Sequence, residues 1–231
     1  MYILAIIPAR GGSKGIPRKN IKPFNSKPLI YWSIDQAKRS KYITRIIIST
    51  DDDEIKNIGL KYGAEVPFLR PTDISDDLST DYEFMDHCIN WLKTNEKKLP
   101  DLIIQLRPTY PTRSVKIIDK CIEKLINVRN YDSLRTVIPF EKSPYKMYRI
   151  NNNTLNPLFE EVNGLKEPYN RCRQELPQTY LHNGYVDIIW TKTIIEKRSI
   201  TGNKIYPYIM SGNEYHDIDT YDDWIKAENI V

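Results

Sequence analysis

The sequence predicts an α/β fold in which a mostly parallel sheet is flanked by helices. Short apolar segments rich in Ile, Val and Leu alternate with segments of helical periodicity, and this alternation favours right-handed strand–helix–strand units. Each apolar segment is short and bounded by turn residues, as buried parallel strands are. The predicted strands are Tyr2–Ile7, Arg45–Ser49, Leu102–Leu106, Ser133–Ile138 and Tyr185–Trp190. Ligands in such a sheet bind beyond the carboxyl ends of the strands.

The helices are predicted from apolar residues that recur every three or four positions. The predicted helices are Pro28–Ser40, Asp53–Tyr62, Thr80–Leu92, Val115–Val128 and a closing helix Asp222–Ile230. The acidic run Asp51–Glu54 opens the second of these helices. We interpret this run as capping and dipole-complementing residues, in preference to a metal site, because acidic residues are ordinary at a helix start.

Residues 139–180 interrupt this alternation. They contain five prolines, the triplet Asn151–Asn153, and short segments such as Tyr145–Ile150 that suit a hairpin. The pattern indicates an inserted arm within a single domain that spans residues 1–231, because it lacks the apolar segments of a second core.

The composition is that of a globular protein, with 40% hydrophobic and 28% charged residues among 231. A net charge of +4 is small and scattered, so neither a nucleic-acid partner nor a membrane partner is expected. An RNA-binding module would rest only on mild basicity and abundant tyrosine. No apolar run approaches the roughly 18 residues of a membrane span, and the start of the chain lacks a signal-peptide pattern, so we expect a cytoplasmic protein. The three cysteines are too far apart to suggest a disulfide framework or a metal site.

A glycine-rich basic loop follows the first strand, from Pro8 to Asn20. Three glycines allow tight turns and bring backbone N–H groups close to a ligand, and four cations lie within ten residues. A triphosphate fits this chemistry. The loop matches neither the Walker pattern nor the GxGxxG fingerprint, which weakens the NTPase and dehydrogenase interpretations. The plain alternative is a solvated turn.

Asp217 and Asp219 are two residues apart near the end of the chain. On an extended segment both carboxylates leave the same side and can share one divalent cation. Oxygen ligands without clustered Cys or His favour Mg²⁺ (or Mn²⁺) over zinc. The alternative is an N-cap cluster for the closing helix, although Thr220 and Asp222 are better candidates for that capping role.

Several segments carry a resemblance to a known family. The stretch IIPARGGSKGIPRKNIKPFNSKPLIYWSIDQAKRS, together with residues 46–71, 107–113, 173–189 and 216–224, resembles the acylneuraminate cytidylyltransferase family. Members of this family make CMP-sialic acids and related CMP-nonulosonates. The resemblance implies a Rossmann-like nucleotidyltransferase fold, CTP and an acidic sugar as substrates, and a homodimer formed through a small dimerisation arm at residues 139–180.

The resemblance also implies roles for individual residues. Lys19, Arg10 and Asp219 would be catalytic, with Lys19 stabilising charge on the α-phosphate. The nucleotide would be bound by Arg10, Gly11, Gly12, Ser13, Lys19, Asn20 and Arg70, and the metal by Asp217 and Asp219. The sugar acid would be bound by Arg107, Arg173, Gln174 and Asn183. A guanidinium such as that of Arg173 suits a carboxylate, and the arm would bring it to the partner subunit's site. The alternatives are a surface salt bridge for Arg70 and a plain turn at Asn183.

The chain departs from the family pattern at the motif usually written QPTSPLR. Here Arg107 replaces the glutamine that helps to bind the sugar, and Tyr110 replaces a small residue. We expect Arg107 to add a charge that suits a second anionic group or a differently held carboxylate, and Tyr110 to narrow the pocket. His182 is interpreted as a packing residue, and no side chain stands out as a general base.

The leading hypothesis is therefore an enzyme that transfers CMP from CTP to the anomeric hydroxyl of a nonulosonic, 2-keto-3-deoxy sugar acid. Pyrophosphate is released. The alternatives are a nucleotidyltransferase for a Kdo-type acid or a sugar phosphate, and a non-catalytic nucleotide-sugar-binding protein. The sequence does not distinguish sialic, legionaminic, pseudaminic and Kdo-like acids. All of these hypotheses require the basic loop and the C-terminal acid pair to face one cleft.

Overall fold

A six-stranded sheet forms the centre of the computed structural model, which describes residues 1–211 and 216–230. The strands, in chain order, are β1 Ile3–Pro8, β2 Pro23–Phe24, β3 Lys27–Pro28, β4 Arg45–Ser49, β5 Leu102–Gln105, β6 Ser133–Phe140, β7 Tyr148–Asn151, β8 Thr154–Pro157, β9 Glu161–Val162, β10 Leu165–Lys166, β11 Thr179–Trp190 and β12 Ile205–Ile209. The strand order in the central sheet is β12-β6-β11-β5-β1-β4. The remaining strands form three small two-stranded pairs.

Helices cover both faces of this sheet. They are α1 Leu29–Arg39, α2 Asp53–Lys61, α3 Asp81–Asn95, α4 Val115–Asn127, α5 Thr191–Lys197 and α6 Tyr221–Glu228. Apolar residues of α1, α2 and α4 pack on one face of the sheet, and those of α3 and α5 pack on the other. Both layers bury their apolar stripe, which is the arrangement expected for an α/β protein. None of the helices in the described residues combines the length and apolar character needed to cross a bilayer.

The C-terminal part of the sheet differs from the sequence prediction. The segment predicted as Tyr185–Trp190 begins at Thr179, and among the described strands of the sheet β11 alone runs antiparallel to its neighbours. An apolar run indicates a buried strand but not its direction. Strand β12 was not predicted because it is an edge strand of sequence IYPYI, in which Pro207 and alternating exposure hide the strand signal. The short helix α5 was also not predicted.

Residues 141–178 connect β6 to β11 through short elements only. They contain the β7–β8 hairpin, the two-residue strands β9 and β10, and short 3₁₀ turns such as Arg173–Glu175. Several apolar side chains of this segment are exposed, among them Met147, Tyr148, Ile150, Leu155, Leu158 and Phe159. These residues lie within the arm predicted at residues 139–180, whose first and last residues belong to β6 and β11, and residues 141–178 are called the arm below.

Candidate active site

The basic loop after β1 is pinned to the start of α2. The Gly11 N–H donates to Asp51 Oδ1 at 2.9 Å, and the Arg18 guanidinium pairs with both Asp52 and Glu54. Asp52 is also the N-cap of α2, since it accepts from the Ile55 N–H at 2.9 Å. Capping therefore explains only part of the acidic run, because its carboxylates also fix the conformation of the loop.

Asn20 stabilises the same loop from within. Its side chain is buried, and its Nδ2 donates to the Arg10 carbonyl at 3.0 Å. Because this amide group is engaged with the backbone, Asn20 shapes the loop around Arg10. Gly12, in contrast, faces open space, since a Cβ built there has no atom within 4 Å.

The two ends of the chain meet at Lys19. Its Nζ donates to the Ile218 carbonyl at 2.7 Å and lies 3.3 Å from Asp219 Oδ1. A Cβ built on Gly15 would lie 2.6 Å from the Asp219 carbonyl oxygen, so the loop approaches the acidic segment as closely as glycine allows. Behind this contact, Ile16 packs in one buried cluster with Ile218 and with aromatic residues of β2 and α6.

The acid pair combines one sheltered and one exposed carboxylate. Burial raises the pKa of Asp217; the Asp219 carboxylate raises it further, and the neighbouring polar groups of Thr109 and Tyr110 oppose this change. Its Oδ1 is buried and has no hydrogen-bond partner among the described residues. The Asp219 side chain is 74% exposed. Between them, the Ile218 N–H donates to the Thr109 carbonyl at 3.0 Å, which ties the pair to the loop after β5.

The residues present fit a magnesium or manganese ion. An unpartnered buried carboxylate oxygen beside a second, accessible carboxylate offers two hard ligands, and Mg²⁺ commonly takes one or two protein carboxylates together with water and substrate phosphates. Within residues 1–211 and 216–230, no group of three or more His, Cys, Asp or Glu side chains is placed to hold a metal by itself. Helix capping does not use these carboxylates, because Thr220 and Asp223 form the capping box of α6. The sequence suggested Asp222 together with Thr220 for this capping role, but in the structure Asp223 has the role.

Arg10 lies at the mouth of the loop and is paired with an acidic residue. Its Nη2 donates to Asp77 Oδ1 at 2.7 Å, and Lys14 contacts the other oxygen of the same carboxylate. Asp77 belongs to the segment before α3, where no sequence motif indicates a site residue. Arg10 of the predicted phosphate site therefore shares one carboxylate with Lys14 of the same loop.

Arg70 is buried, so the alternative interpretation of this residue as part of a surface salt bridge is wrong. Its Nε and Nη2 donate to the Ser49 side chain and carbonyl at 3.0 and 2.6 Å, at the end of β4. The guanidinium lies 5.0 Å from the ring centroid of Phe84. Burial lowers the pKa of Arg70 to about 10. Ser49 and Phe84 thus fix this cation at the carboxyl edge of the sheet.

Arg107 is held between two carboxylates. Its Nη1 donates to Asp187 at 2.6 Å, and its Nη2 donates to Asp81 at 2.7 Å. The same Nη1 lies 3.2 Å from the Gly184 carbonyl. These ion pairs neutralise the charge of Arg107, which the sequence suggested was available to an anionic acceptor. Arg107 instead links α3 to β11.

Tyr110 and Asn183 form a buried connection below the acid pair. The Tyr110 hydroxyl donates to the Asn183 carbonyl, and Tyr110 is fully buried, so it braces the loop and does not protrude into a pocket. The Asn183 Oδ1 accepts from the Thr136 hydroxyl at 2.7 Å, and its Nδ2 contacts Met210 Sδ. The Asn183 amide is therefore occupied by structural contacts. Asn183 lies in an irregularity of β11, where the register with β6 shifts, and is not a plain turn.

The predicted acceptor residues are divided between two places. Arg107 and Asn183 belong to the buried connection just described, whereas Arg173 and Gln174 are exposed on a 3₁₀ turn of the arm. The Arg173 side chain lines a cavity of about 470 Å³ together with Glu141, Lys142, Ser143, Lys146 and Met147.

The pairing of His182 with Asp187 is not apparent from the sequence. His182 Nε2 lies 2.8 Å from Asp187 Oδ1. A spacing of five residues places two side chains on opposite faces of a regular strand, so no periodicity could indicate this pair. The register shift between these two residues brings them to the same face.

The fold and the site together define a nucleotidyltransferase: a glycine-rich cationic loop meets an acid pair at the carboxyl edge of a mostly parallel sheet. A family model described as Cytidylyltransferase matches residues 4–171. The chain is 33% identical to the pseudaminic acid cytidylyltransferase of Campylobacter jejuni (strain 81-176), with 96% of this chain and 93% of that protein covered. It is also 33% identical to the CMP-N,N'-diacetyllegionaminic acid synthase of Legionella pneumophila, with 100% and 97% covered.

A solved structure shares the fold. The structure of CMP:2-keto-3-deoxy-manno-octonic acid synthetase complexed with CTP aligns with a TM-score of 0.70 at 14% identity, covering 100% of this chain and 98% of that one. The chain belongs to the cytidylyltransferase family. The predicted family resemblance and the predicted fold class are thereby confirmed.

Proposed function

We propose that this protein transfers CMP from CTP to the anomeric hydroxyl of a nonulosonic sugar acid and releases pyrophosphate. The relatives that cover nearly the whole chain are named for pseudaminic and diacetyllegionaminic acids, which supports this acceptor class. The observation that carries the proposal is the meeting of Lys19 with the Asp219 segment, since it joins a phosphate-binding loop to a pair of carboxylates.

In this proposal the loop binds the triphosphate of CTP. The Gly12 backbone, the Ser13 hydroxyl and the Arg10 guanidinium face the phosphates, the Gly11 N–H holds the loop to Asp51, and Arg70 holds the nucleotide. Lys19 neutralises charge that develops on the α-phosphate, because a fixed ammonium group stabilises a phosphoryl-transfer transition state.

Asp217 and Asp219 would hold Mg²⁺ (or Mn²⁺). The bound ion would neutralise phosphate oxygens of the nucleotide. The chain's own contribution is to keep the two carboxylates beside Lys19, through the hydrogen bond between Ile218 and Thr109.

The acceptor carboxylate is assigned to the arm. The cavity beside Arg173 is also lined by Lys142 and Lys146 and by one acid, Glu141, so its lining carries a net positive charge. The Ser143 hydroxyl oxygen in this lining is buried without a hydrogen-bond partner among the described residues. A sugar carboxylate would satisfy both the charge and this hydroxyl.

We also propose that the protein is a homodimer formed through the arm and that it is located in the cytoplasm. Within the described part of one chain, no hydrogen bond or ion pair links Arg173 or Gln174 to Lys19 or to the acid pair. The β7–β8 hairpin exposes Ile150 and Leu155, and a two-stranded hairpin is marginally stable unless its apolar face is covered. A second copy of the chain would cover this face and bring its arm to the nucleotide site.

The proposal is tested by identifying products with mass spectrometry. The purified protein is incubated with CTP, magnesium and a mixture of sialic, legionaminic, pseudaminic and Kdo-type acids. We expect a CMP adduct of a nonulosonic acid together with pyrophosphate. An adduct of the Kdo-type acid alone, or turnover only with an added sugar 1-phosphate, would reject the acceptor class. CTP binding without any turnover would support a nucleotide-sugar-binding protein instead.

Arg173→Ala tests the arm. We expect the KM for the sugar acid to rise at least tenfold while the KM for CTP changes little, because the guanidinium contacts only the acceptor. Arg171→Ala is the matched control, since Arg171 is an exposed arginine of the same arm whose partner is Glu175. An equal loss of CTP affinity in Arg173→Ala would contradict the assignment of Arg173 to the sugar acid.

A further inference from the structure

A histidine and a carboxylate form a defined pair on β11, next to the proposed site. Asp187 is buried, and its Oδ2 accepts from Arg107 at 2.6 Å while its Oδ1 lies 2.8 Å from His182 Nε2. The Arg135 Nε lies 3.6 Å from the same Oδ1. Burial by itself raises the pKa of Asp187, but the His182 hydrogen bond and the Arg107 charge outweigh burial and lower it to about 2. Asp187 is therefore ionised at neutral pH.

The ionised carboxylate fixes the tautomer of His182. A carboxylate can only accept, so Nε2 must carry a proton, and in the neutral ring Nδ1 is then the nitrogen with the free lone pair. Among the described residues Nδ1 has no hydrogen-bond partner, and the side chain is 34% exposed. The imidazole is thus oriented by a buried acid and prepared to accept a proton from a ligand.

The His182–Asp187 pair is connected through neighbouring residues to the acid pair Asp217 and Asp219. His182 precedes Asn183, whose carbonyl accepts from the Tyr110 hydroxyl. The adjacent Thr109 carbonyl accepts from Ile218, the residue between the two acids. Along the chain in the other direction, β11 follows directly from the turn that holds Arg173. His182 is therefore linked along the chain to both proposed parts of the site, to the acid pair through Asn183 and to the carboxylate-binding turn through the start of β11.

We propose that His182 is the general base that accepts the proton of the acceptor's anomeric hydroxyl at Nδ1. This inference rests on the proposed function. The acceptor oxygen forms a bond to the α-phosphorus of CTP while the bond from that phosphorus to the bridging oxygen of the pyrophosphate breaks. Pyrophosphate leaves with the electron pair, and the proton stays on His182 until solvent removes it.

The surroundings of His182 allow the ring to become charged. The charged groups that face it are Asp187 on its own strand, Arg107 from the loop after β5, Arg135 from β6 and, through Arg107, Asp81 of α3. Two carboxylates balance two guanidinium groups around the ring, and one of these carboxylates contacts it directly.

The test is His182→Gln, because the Gln Nε2 can still donate to Asp187 while the basic nitrogen is lost. We expect kcat to fall about a hundredfold, within the usual contribution of a general base, while the affinity for CTP measured by calorimetry stays within twofold of the wild type. The acidic limb of the kcat–pH profile should disappear. In His182→Ala, added imidazole should restore part of the lost rate.

Three outcomes distinguish a failure of this inference from a failure of the proposed function. If the wild type forms a CMP-sugar and His182→Gln keeps its kcat and its pH profile, His182 is not the base. If His182→Gln loses kcat but retains the acidic limb, and imidazole restores nothing in His182→Ala, the residue is structural and the proposal is overturned. If the wild type itself makes no CMP-sugar from any nonulosonic acid, the proposed function fails, and the base assignment fails with it.

Discussion

The basic loop lies against the acidic segment at Gly15, so a single added methyl group there should push the two segments apart. A Cβ at this position would lie 2.6 Å from the Asp219 carbonyl oxygen, whereas real Cβ contacts are essentially never shorter than 3.0 Å. The obstructing atom belongs to the backbone, so no side-chain rotation can relieve the clash. In Gly15→Ala the loop and the acidic segment must therefore move apart by about half an ångström.

This displacement acts directly on Lys19, which bonds to the Ile218 carbonyl at 2.7 Å and lies 3.3 Å from Asp219. A misplacement of about 1 Å can cost roughly a hundredfold in rate, so we expect kcat/KM for CTP to fall about tenfold. Overpacking of this kind commonly costs about 1–3 kcal/mol, and because Gly15 is exposed we expect a loss of unfolding free energy of only about 1 kcal/mol.

The assay is pyrophosphate release at fixed magnesium, combined with urea unfolding of the same preparations. Gly59→Ala is the matched control, because its Cβ would lie 2.3 Å from Ile48 Cδ1 in the core beside α2, outside the proposed site. Gly59→Ala should change stability but keep the kcat/KM of the folded protein. If Gly15→Ala retains the wild-type kcat/KM, the close approach of the loop to Asp219 is not needed for catalysis.

Three further predictions concern charged groups. Asp219→Asn should raise the magnesium concentration for half-maximal rate at least tenfold or abolish turnover, and an unchanged metal titration would refute the site. Asp77→Asn should lower the KM for CTP about two- to threefold, because the exposed carboxylate no longer competes with the triphosphate for Arg10; a higher KM would contradict this competition. The pKa of Asp187 is lowered to about 2, so the ionised Asp187 carboxylate stabilises the fold above about pH 4. About 2 kcal/mol of unfolding free energy should therefore be lost as pH falls from 4 to 2. Urea unfolding across this range should show a weaker pH dependence in Asp187→Asn, and an unchanged dependence would show that Asp187 does not contribute.

The sequence predicted the sheet well where the strands are buried on both faces. Arg45–Ser49 is observed with the predicted bounds, and the helix predicted as Val115–Val128 ends one residue earlier. A strand of this kind is recognisable because helices cover both faces of the sheet, so nearly all its side chains are buried and its sequence is a continuous apolar run. The direction and length of β11 were not predictable in the same way, since its first residues are exposed and its direction depends on the long arm before it.

The candidate site was predictable in its types of residue but not in its pairings. A glycine loop with cations and a pair of aspartates are local patterns, and the sequence contains both. The partners of Arg107 are distant in sequence, because Asp81 opens α3 and Asp187 follows the register shift of β11. Only the tertiary fold determines that these carboxylates neutralise Arg107, so the sequence suggested a free charge where the structure has an ion-paired one.

The contact between the two ends of the chain does not depend on charge alone. The Asp219 side chain is 74% exposed, so its ion pair with Lys19 contributes at most about 1 kcal/mol. Ile16 of the loop and Ile218 of the acidic segment, in contrast, are fully buried in one cluster with Trp224. Apolar packing therefore holds the loop against the acidic segment, and the Lys19–Asp219 pair is free to open when phosphate and metal compete for its two charges. A site organised in this way can bind and release a highly charged nucleotide while the backbone that positions Lys19 and the acid pair stays in place.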